Sequence, residues 1–494
     1  MPTDPMILAI DQGTTNTKAI LVDRAGAVRG MASRPVDIEF PRPAWVQQDA
    51  RCIWQSVREA VDECLEAAGS PPLAAVGVSN QRESGLAWDA ASGEPVGPVV
   101  TWQCRRSAGF CEQLRSEGLE DEVRARTGLP IDPMFTGSKI RWLLDDTPDG
   151  HARAASGEIR VGTVDSWLLW CLTAGAEHRT DVSNASRTQL LNISEVRWDV
   201  LLMDRYGVPE AALPEILPSS GIFGETVALG ALPAGVPIGS LVGDSHAALF
   251  GHAGFAAGSV KATYGTGSSL MSPTAQRVDS DRGLASTIAW GLGSTVYALE
   301  GNIYVTGAAV QWMADFIGLD GPGKVAELAE SVPDTEGVYL VPAFVGLGAP
   351  HWDDSARGML TGLTRSSSLA QASRAVIESI AYQVRDVFDE MQSATGGALR
   401  VLMADGGVTR NAQLMQFQAD ILGVPVQRNN TPELSAMGAA YLAGLAVGVW
   451  SSTDDIEALP RSIDRFEPRI EATERERLYA GWKEAVARTM YRPA

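Results

Sequence analysis

The chain has 494 residues, 45% of them apolar and 20% charged, with a mean hydropathy of −0.02. It is long enough for about three domains or two large lobes, which excludes a disulfide-stapled miniprotein, and its composition excludes wholesale disorder. Lys and Arg number 40 against 60 Asp and Glu, and the net charge of −20 repels nucleic-acid backbones and anionic membranes, so no nucleic-acid or membrane partner is expected.

Five cysteines, Cys52, Cys64, Cys104, Cys111 and Cys171, include no Cys-x-x-Cys pair and support neither a disulfide framework nor a zinc site. The opening MPTDP has no signal-type pattern, and no run of about eighteen apolar residues occurs; a cytoplasmic, non-membrane protein is expected. Glycine is abundant, 50 residues against an average of about 7%. It clusters beside Thr, Ser and Asp, which asks for a structural reason.

In chain order, MILAIDQGTTNTKAILVD predicts a strand, a polar Gly/Thr turn and a second strand, with Asp11 at the end of the first. The spacing of Ile53, Val57, Ala60, Val61, Cys64, Leu65 and Ala68 predicts a helix with Asp49 near its start, followed by a short strand from Leu73 to Val78. Asn80, Gln81, Arg82 and Glu83 fall just beyond that strand. Trp102, Arg105 and Arg106 fall just beyond the apolar PVVTW run. Open α/β sheets bind ligands at such positions; surface ion pairs and one core tryptophan are the alternative.

Residues 241–273 predict a strand reaching Asp244, a compact helix, and a second strand, Gly/Thr turn, strand unit. KATYGTGSSLMS echoes LAIDQGTTNTKAIL, which points either to a duplicated module with one phosphate-facing turn per lobe or to a chance likeness of short turns. Gln371 to Met391 predicts a long packing helix. Residues 401–426 read as strand, glycine turn, helix and strand; SAMGAAYLAGLAVG is a small-residue helix, and ERERLYAGWKEAVARTM a closing amphipathic one.

Successive backbone N–H groups in a glycine turn hold phosphate without a permanent cation, and DQGTTNTK adds hydroxyls to them. A carboxylate beside phosphates is tolerated when magnesium or its water lies between. Asp11 is therefore read as a magnesium organiser, with a turn-capping aspartate as the alternative. The turn is not G-x-G-x-x-G, which disfavours a nicotinamide enzyme. GLDGPGKV, residues 318–325, matches G-x-x-x-x-G-K but has Val325 where a P-loop needs Ser or Thr, so an exposed loop is expected there. Asp244 is either the base for a substrate hydroxyl or a helix N-cap. His246 and His252 do not share the i, i+4 face of a helical metal pair, and no metal is assigned to them.

The blocks DQGTTNTK, NQRE, WQCRR, GTVDSWL, NASRT, GDSHAA, TYGTG, EGNIYVTGAAVQW, PAFVGLGAPHWD and DGGVTRN run in order along the chain. On these residues the sequence resembles the FGGY carbohydrate kinases, most closely their glycerol kinase branch. The resemblance implies an α/β fold of two actin-like or ribonuclease-H-like lobes flanking a central ATP and substrate cleft. Residues 1–247 would mainly bind the polyol or sugar and residues 248–494 mainly the nucleotide. It implies ATP-dependent phosphorylation of a small polyol or related sugar with Mg2+ as cofactor. Related kinases often form dimers or tetramers, so a homodimer or homotetramer is expected.

Carried over residue by residue, the resemblance makes Asp244 the general base, Arg82 and Glu83 the grip on neighbouring hydroxyls, and Trp102 an apolar wall. Thr14, Thr15, Thr266 and Gly267 match phosphate-contacting turns. Gly307, Gln311, Gly407 and Asn411 match positions around the nucleotide, and Asp11 the acid that holds magnesium through water. Three positions of the family's glycerol pocket differ: Met134 stands where tyrosine is usual, Ser245 replaces a glutamine, and Ser269 replaces a phenylalanine. The serines enlarge the pocket and add hydroxyls, and Met134 removes a fixed aromatic face. An acceptor longer than glycerol, a four- or five-carbon polyol or related ketose, is therefore expected. Glycerol itself is the alternative, and a non-catalytic actin-like nucleotide or sugar sensor a more distant one. ALGALPAGVPIGS lacks the arginine of a fructose bisphosphate loop, and Ser194 stands where some members carry an activating phosphohistidine, so neither control is expected.

Overall fold

In the computed structural model, which describes residues 5–280, 282–431 and 433–492, strands β1 (Met6–Gln12) and β2 (Asn16–Val22) form an antiparallel hairpin, with β3 (Val28–Pro35) beside β2. Ile7, Leu8, Ala9 and Ile10 are all buried; β1 is covered on both faces, which is why it reads as a continuous apolar run instead of an alternating one. Helix α1 (Ala50–Ala67) packs on one face, and the Asp49 side chain accepts from Arg51 N–H as its cap. Strands β4 (Leu73–Asn80), β5 (Ser220–Glu225) and β6 (Pro237–Gly243) complete a six-stranded sheet in the order β3-β2-β1-β4-β6-β5. β4 extends past the expected Val78 because its parallel pairing continues to Asn80, opposite Gln12 on one side and Gly243 on the other. Inserted between β4 and β5 is a smaller sheet, in which Gly85–Asp89 pairs with Ile159–Thr163, together with the helix Thr136–Asp146.

The chain leaves β6 through α2 (Asp244–Gly251) and enters a second lobe. There β7 (Ser259–Tyr264), β8 (Ser268–Thr274), β9 (Ala285–Leu292) and β10 (Ser294–Ile303) are followed by α3 (Gly307–Phe316) and α4 (Leu369–Thr395). Then come β11 (Val401–Asp405), α5 (Ala412–Leu422), β12 (Val426–Asn429), α6 (Leu434–Ala446), β13 (Ile463–Phe466) and α7 (Ala472–Met490). The sheet order is β9-β10-β8-β7-β11-β12-β13. α4 is longer than expected because Ser368 and Gln371 form a reciprocal capping box ahead of the apolar stripe.

The two sheets repeat one plan. In each, the first strand of an antiparallel hairpin pairs parallel with a later strand, β1 with β4 and β7 with β11, which pairs parallel with another, β6 or β12. The echo between the two Gly/Thr turns is therefore a repeated module and not a chance match. The expected exposed loop at GLDGPGKV is instead the start of a helix, Pro322–Glu330, with Pro322 at a position that needs no N–H. Val325 is buried there, and Lys324 pairs with Glu327 at 2.7 Å on the outer face.

The small-residue helix α6 belongs to the C-terminal half but covers the N-terminal sheet. Met437, Ala439 and Ala440 are buried in one cluster with Ile7, Ala9, Ala75 and Val242. It also crosses α2 at backbone contact: a Cβ placed on Gly438 would lie 1.8 Å from the Ala247 carbonyl oxygen. Residue 247 thus sits inside a helix at backbone contact with α6. Among the described residues no helix is long and apolar enough to cross a membrane.

Candidate active site

A cavity of about 720 Å³ opens between the lobes, with Asp11, Gly13, Lys18 and Asp244 on the side of the N-terminal sheet and Thr263, Asp405 and Gly407 on the other. Asp11 is a strand residue, opposite Lys18 in the hairpin, and accepts a hydrogen bond from Ser79 Oγ at 2.8 Å; it does not cap the turn. Burial, and then the negative charge of Asp244, push its pKa up to about 6. This donor fits magnesium: its oxygens are hard ligands, and a divalent cation favours the ionised form that its surroundings oppose. Gly13 N–H closes the first turn on the Asn16 carbonyl at 2.9 Å. Thr15 is exposed at the tip, while Thr14 Oγ1 accepts from Trp102 Nε1 at 3.0 Å.

The second turn is clamped from α3. Thr306 N–H and Ala308 N–H donate to the Thr266 carbonyl at 2.9 and 3.1 Å, and Gly307 N–H donates to the Gly265 carbonyl at 3.0 Å. A Cβ on Gly267 would lie 2.5 Å from the Ile303 oxygen, and one on Gly307 2.5 Å from the Gly265 oxygen. Only glycine lets these backbones approach so closely, which fits a cradle for phosphate. Gly407 opens the turn after β11 with free space beyond its Cα. Asn411 accepts from Leu414 N–H at 2.9 Å as the cap of α5, and the exposed Gln311 donates to Asp315 at 2.8 Å. Among the described residues, neither Gln311 nor Asn411 lines the cavity.

Asp244 is the first residue of α2; Gly243 is its N-cap, so the capping alternative does not hold. Burial raises its pKa, and Glu83 adds to this against the opposing charge of Arg82. Arg82 Nε lies 3.2 Å from Asp244 Oδ1. Glu83 adopts φ 60°, a left-handed conformation rare for glutamate, and its carbonyl accepts from Thr136 Oγ1 and Lys139 Nζ, each at 3.0 Å. Lys139 also donates to the Met134 carbonyl. The Trp102 N–H donates to Ser84 Oγ at 3.2 Å and its indole to Thr14, so this residue joins the Arg82–Glu83 turn to the first Gly/Thr turn.

Of the three unusual positions, Ser269 Oγ donates to Glu300 Oε1 at 3.2 Å. Met134 packs against Leu129, Phe135 and Ala285. Ser245 lines the larger cavity next to Asp244. His246 is fully buried with Nε2 3.4 Å from Thr287 Oγ1, and His252 Nε2 lies 2.7 Å from Asp405 Oδ2. Sequence reasoning misses Lys139, Arg187 and Glu300, all buried at this site. A lone charge inside an apolar run, as in VYALEGNIYV, is the signal that marks Glu300.

The FGGY family of carbohydrate kinases matches through its N-terminal domain over residues 6–251 and its C-terminal domain over residues 260–447. Glycerol kinase of Symbiobacterium thermophilum is 49% identical over 488 residues, and glycerol kinase 2 of Thermotoga maritima 47% over 489, each covering 98% of both chains. The crystal structure of Plasmodium falciparum glycerol kinase with ADP is similar with a TM-score of 0.95 and 31% identity over 99% of each chain. Xylulose kinase of Rhodospirillum rubrum gives a TM-score of 0.88 at 25% identity over 98% of each. Two repeated lobes around a glycine-lined cleft, matched in order along almost the whole chain, place it in the FGGY family of carbohydrate kinases, within the glycerol kinase branch, as an ATP-dependent polyol kinase.

Proposed function

We propose that the acceptor is glycerol, phosphorylated by ATP to glycerol 3-phosphate with release of ADP. The observation that carries this reading is the disposition of the three unusual side chains. The Ser269 hydroxyl is taken by Glu300, and Met134 is packed among apolar neighbours. Ser245 lines the large cavity beside Asp244, while the side chains of Arg82 and Glu83 are buried. With two of the three side chains engaged by protein neighbours, glycerol is favoured over the longer polyol expected from sequence. Relatives named glycerol kinase, 46 to 49% identical over 98% of the chain, support the same acceptor.

In this reading Asp244 accepts the hydroxyl proton, since burial keeps it basic and it lines the cleft together with Asp11 and Gly13 of the first turn. Arg82 and Glu83 bind two neighbouring hydroxyls, and the Trp102 ring covers the carbons. Thr14, Thr15, Thr266 and Gly267 hold phosphate oxygens, while Gly307 and Gly407 border the nucleotide, with Gln311 and Asn411 outside the cavity lining. Asp11 orients magnesium, which supplies positive charge against the phosphates when bound. The assembled base and hydroxyl-binding pair favour this over a non-catalytic sensor.

Steady-state kinetics on glycerol, erythritol, xylitol and xylulose, with ADP and phosphorylated product both quantified, test the reading. Glycerol should give the highest kcat/KM; a higher value for a longer acceptor overturns the assignment. Asp244→Asn should lower kcat by roughly 10²- to 10⁴-fold while binding of an ATP analogue stays measurable.

A further inference from the structure

Glu300 stands on β10, in the lobe opposite Arg82 and Glu83, and its side chain is fully buried. Each of its carboxylate oxygens meets an arginine of the N-terminal lobe: Oε1 is 2.7 Å from Arg82 Nη1 and Oε2 is 2.6 Å from Arg187 Nη2. Arg187 Nε turns back to Glu83 Oε1 at 2.6 Å, and the same oxygen lies 4.0 Å from Arg82 Nε. Two guanidinium and two carboxylate groups thus close a neutral ring, with three members from one lobe and Glu300 from the other. The Arg187 guanidinium is fixed further by lying 5.2 Å over the Phe135 ring. Burying four charges is expensive, and a hydrophobic replacement of such a group is often as stable or more so, so stability alone does not account for the ring.

Besides Glu83, two closer carboxylates compete for Arg82. Its Nε faces Asp244 at 3.2 Å while its Nη1 faces Glu300. Deprived of Glu300, the guanidinium would be left to Glu83, which Arg187 already holds, and to Asp244, the nearer of the two at 3.2 Å, and a carboxylate tightly paired with arginine is a poor base. Resting on the reading of Asp244 as the base, we infer that Glu300 is a positioning residue that holds Arg82 back from full pairing with Asp244, so that Arg82 can bind the acceptor while Asp244 accepts its proton.

The charge distribution agrees. Burial opposes ionisation of Glu300, but Arg187 and Arg82 outweigh it and hold the group below the usual carboxylate range. Asp244 is also faced by Glu83, Asp11 and Lys261, and Glu300 by His246 and Lys261; the test below leaves all of these in place.

Glu300→Gln keeps the shape and removes one negative charge from the ring. The acidic limb of the pH profile of kcat/KM for the acceptor should move down by about one unit, with kcat reduced at least about tenfold and the KM for ATP unchanged. Glu300→Asp, which retains the charge but withdraws it from Arg82, should move the limb in the same direction by less, and decides the matter if the Gln variant does not fold. An acidic limb that stays in place, even with activity lost, overturns the proposal and leaves Glu300 a structural residue. Asp244→Asn separates the two readings: if it retains wild-type kcat, the base assignment fails and the inference with it. If it is inactive while the Glu300 variants keep the wild-type limb, only the inference fails.

Discussion

A single methyl group at Gly438 should disturb chemistry in the cleft. Its Cβ would lie 1.8 Å from the Ala247 oxygen and 2.6 Å from the Ala247 carbonyl carbon, whereas real Cβ atoms essentially never come within 3.0 Å of such neighbours. Helices α2 and α6 must therefore part by roughly 1 Å or more. Sliding offers no escape, because a Cβ at Gly251 would already meet the Leu434 oxygen at 2.3 Å. Alanine favours a helix by about 1 kcal/mol over glycine, but a backbone clash this close belongs at the upper end of the overpacking range, about 3 kcal/mol, so Gly438→Ala should be destabilising by about 2 kcal/mol net. For a domain of this size each kcal/mol lowers Tm by about 2 to 4 °C. Asp244 begins the displaced helix, and misplacing a reacting group by about 1 Å can cost on the order of 10²-fold in rate. Coupled-assay kcat and a thermal melt give both numbers, with Gly323→Ala, at a helical site with nothing within 4 Å of the new Cβ, as the control. Wild-type kcat and Tm for Gly438→Ala would refute the claim that this crossing positions Asp244.

Two further outcomes are expected. Asp165 is buried, and burial followed by the charge of Asp181 raises its pKa to about 7 against hydrogen bonds from Thr163 and Thr180. The native state thus keeps a proton that the unfolded chain releases near 3.8, and stability falls as pH rises from about 4 to 7. Asp165→Asn should flatten Tm against pH over that window in calorimetry without ligands; an unchanged slope would count against this origin. Lys139→Met leaves the Glu83 carbonyl short of a buried donor, so the acceptor KM should rise about tenfold with the KM for ATP unchanged, and equal rises in both would argue against a local role.

The hairpins were legible because apolar runs bounded by Gly and Thr specify strand and turn locally, and Asp11, Thr14, Arg82, Glu83, Trp102 and Asp244 follow those strand ends. What escaped depends on register between distant strands. Ser269 sits opposite Asn302, two positions from Glu300 on the neighbouring strand, and only that diagonal placement reveals that its hydroxyl is engaged. Met134 likewise packs with Ala285, brought from the other lobe, a neighbour that no local pattern announces. Arg187 and Lys139 gain their meaning from the left-handed turn at Glu83, a conformation that glutamate does not announce in sequence.

Helix α6 also has a consequence for biosynthesis. It supplies the cover for a sheet whose last strand, β6, ends at Gly243, roughly 200 residues earlier in the chain than the end of α6 at Ala446. At about 5 to 20 residues per second, the ribosome delivers that cover about 10 to 40 s after the sheet's own strands. Throughout that interval the face formed by Ile7, Ala9, Ala75 and Val242 lacks the α6 side chains that complete its native cover, so nascent chains paused between these points are where chaperone capture and aggregation compete.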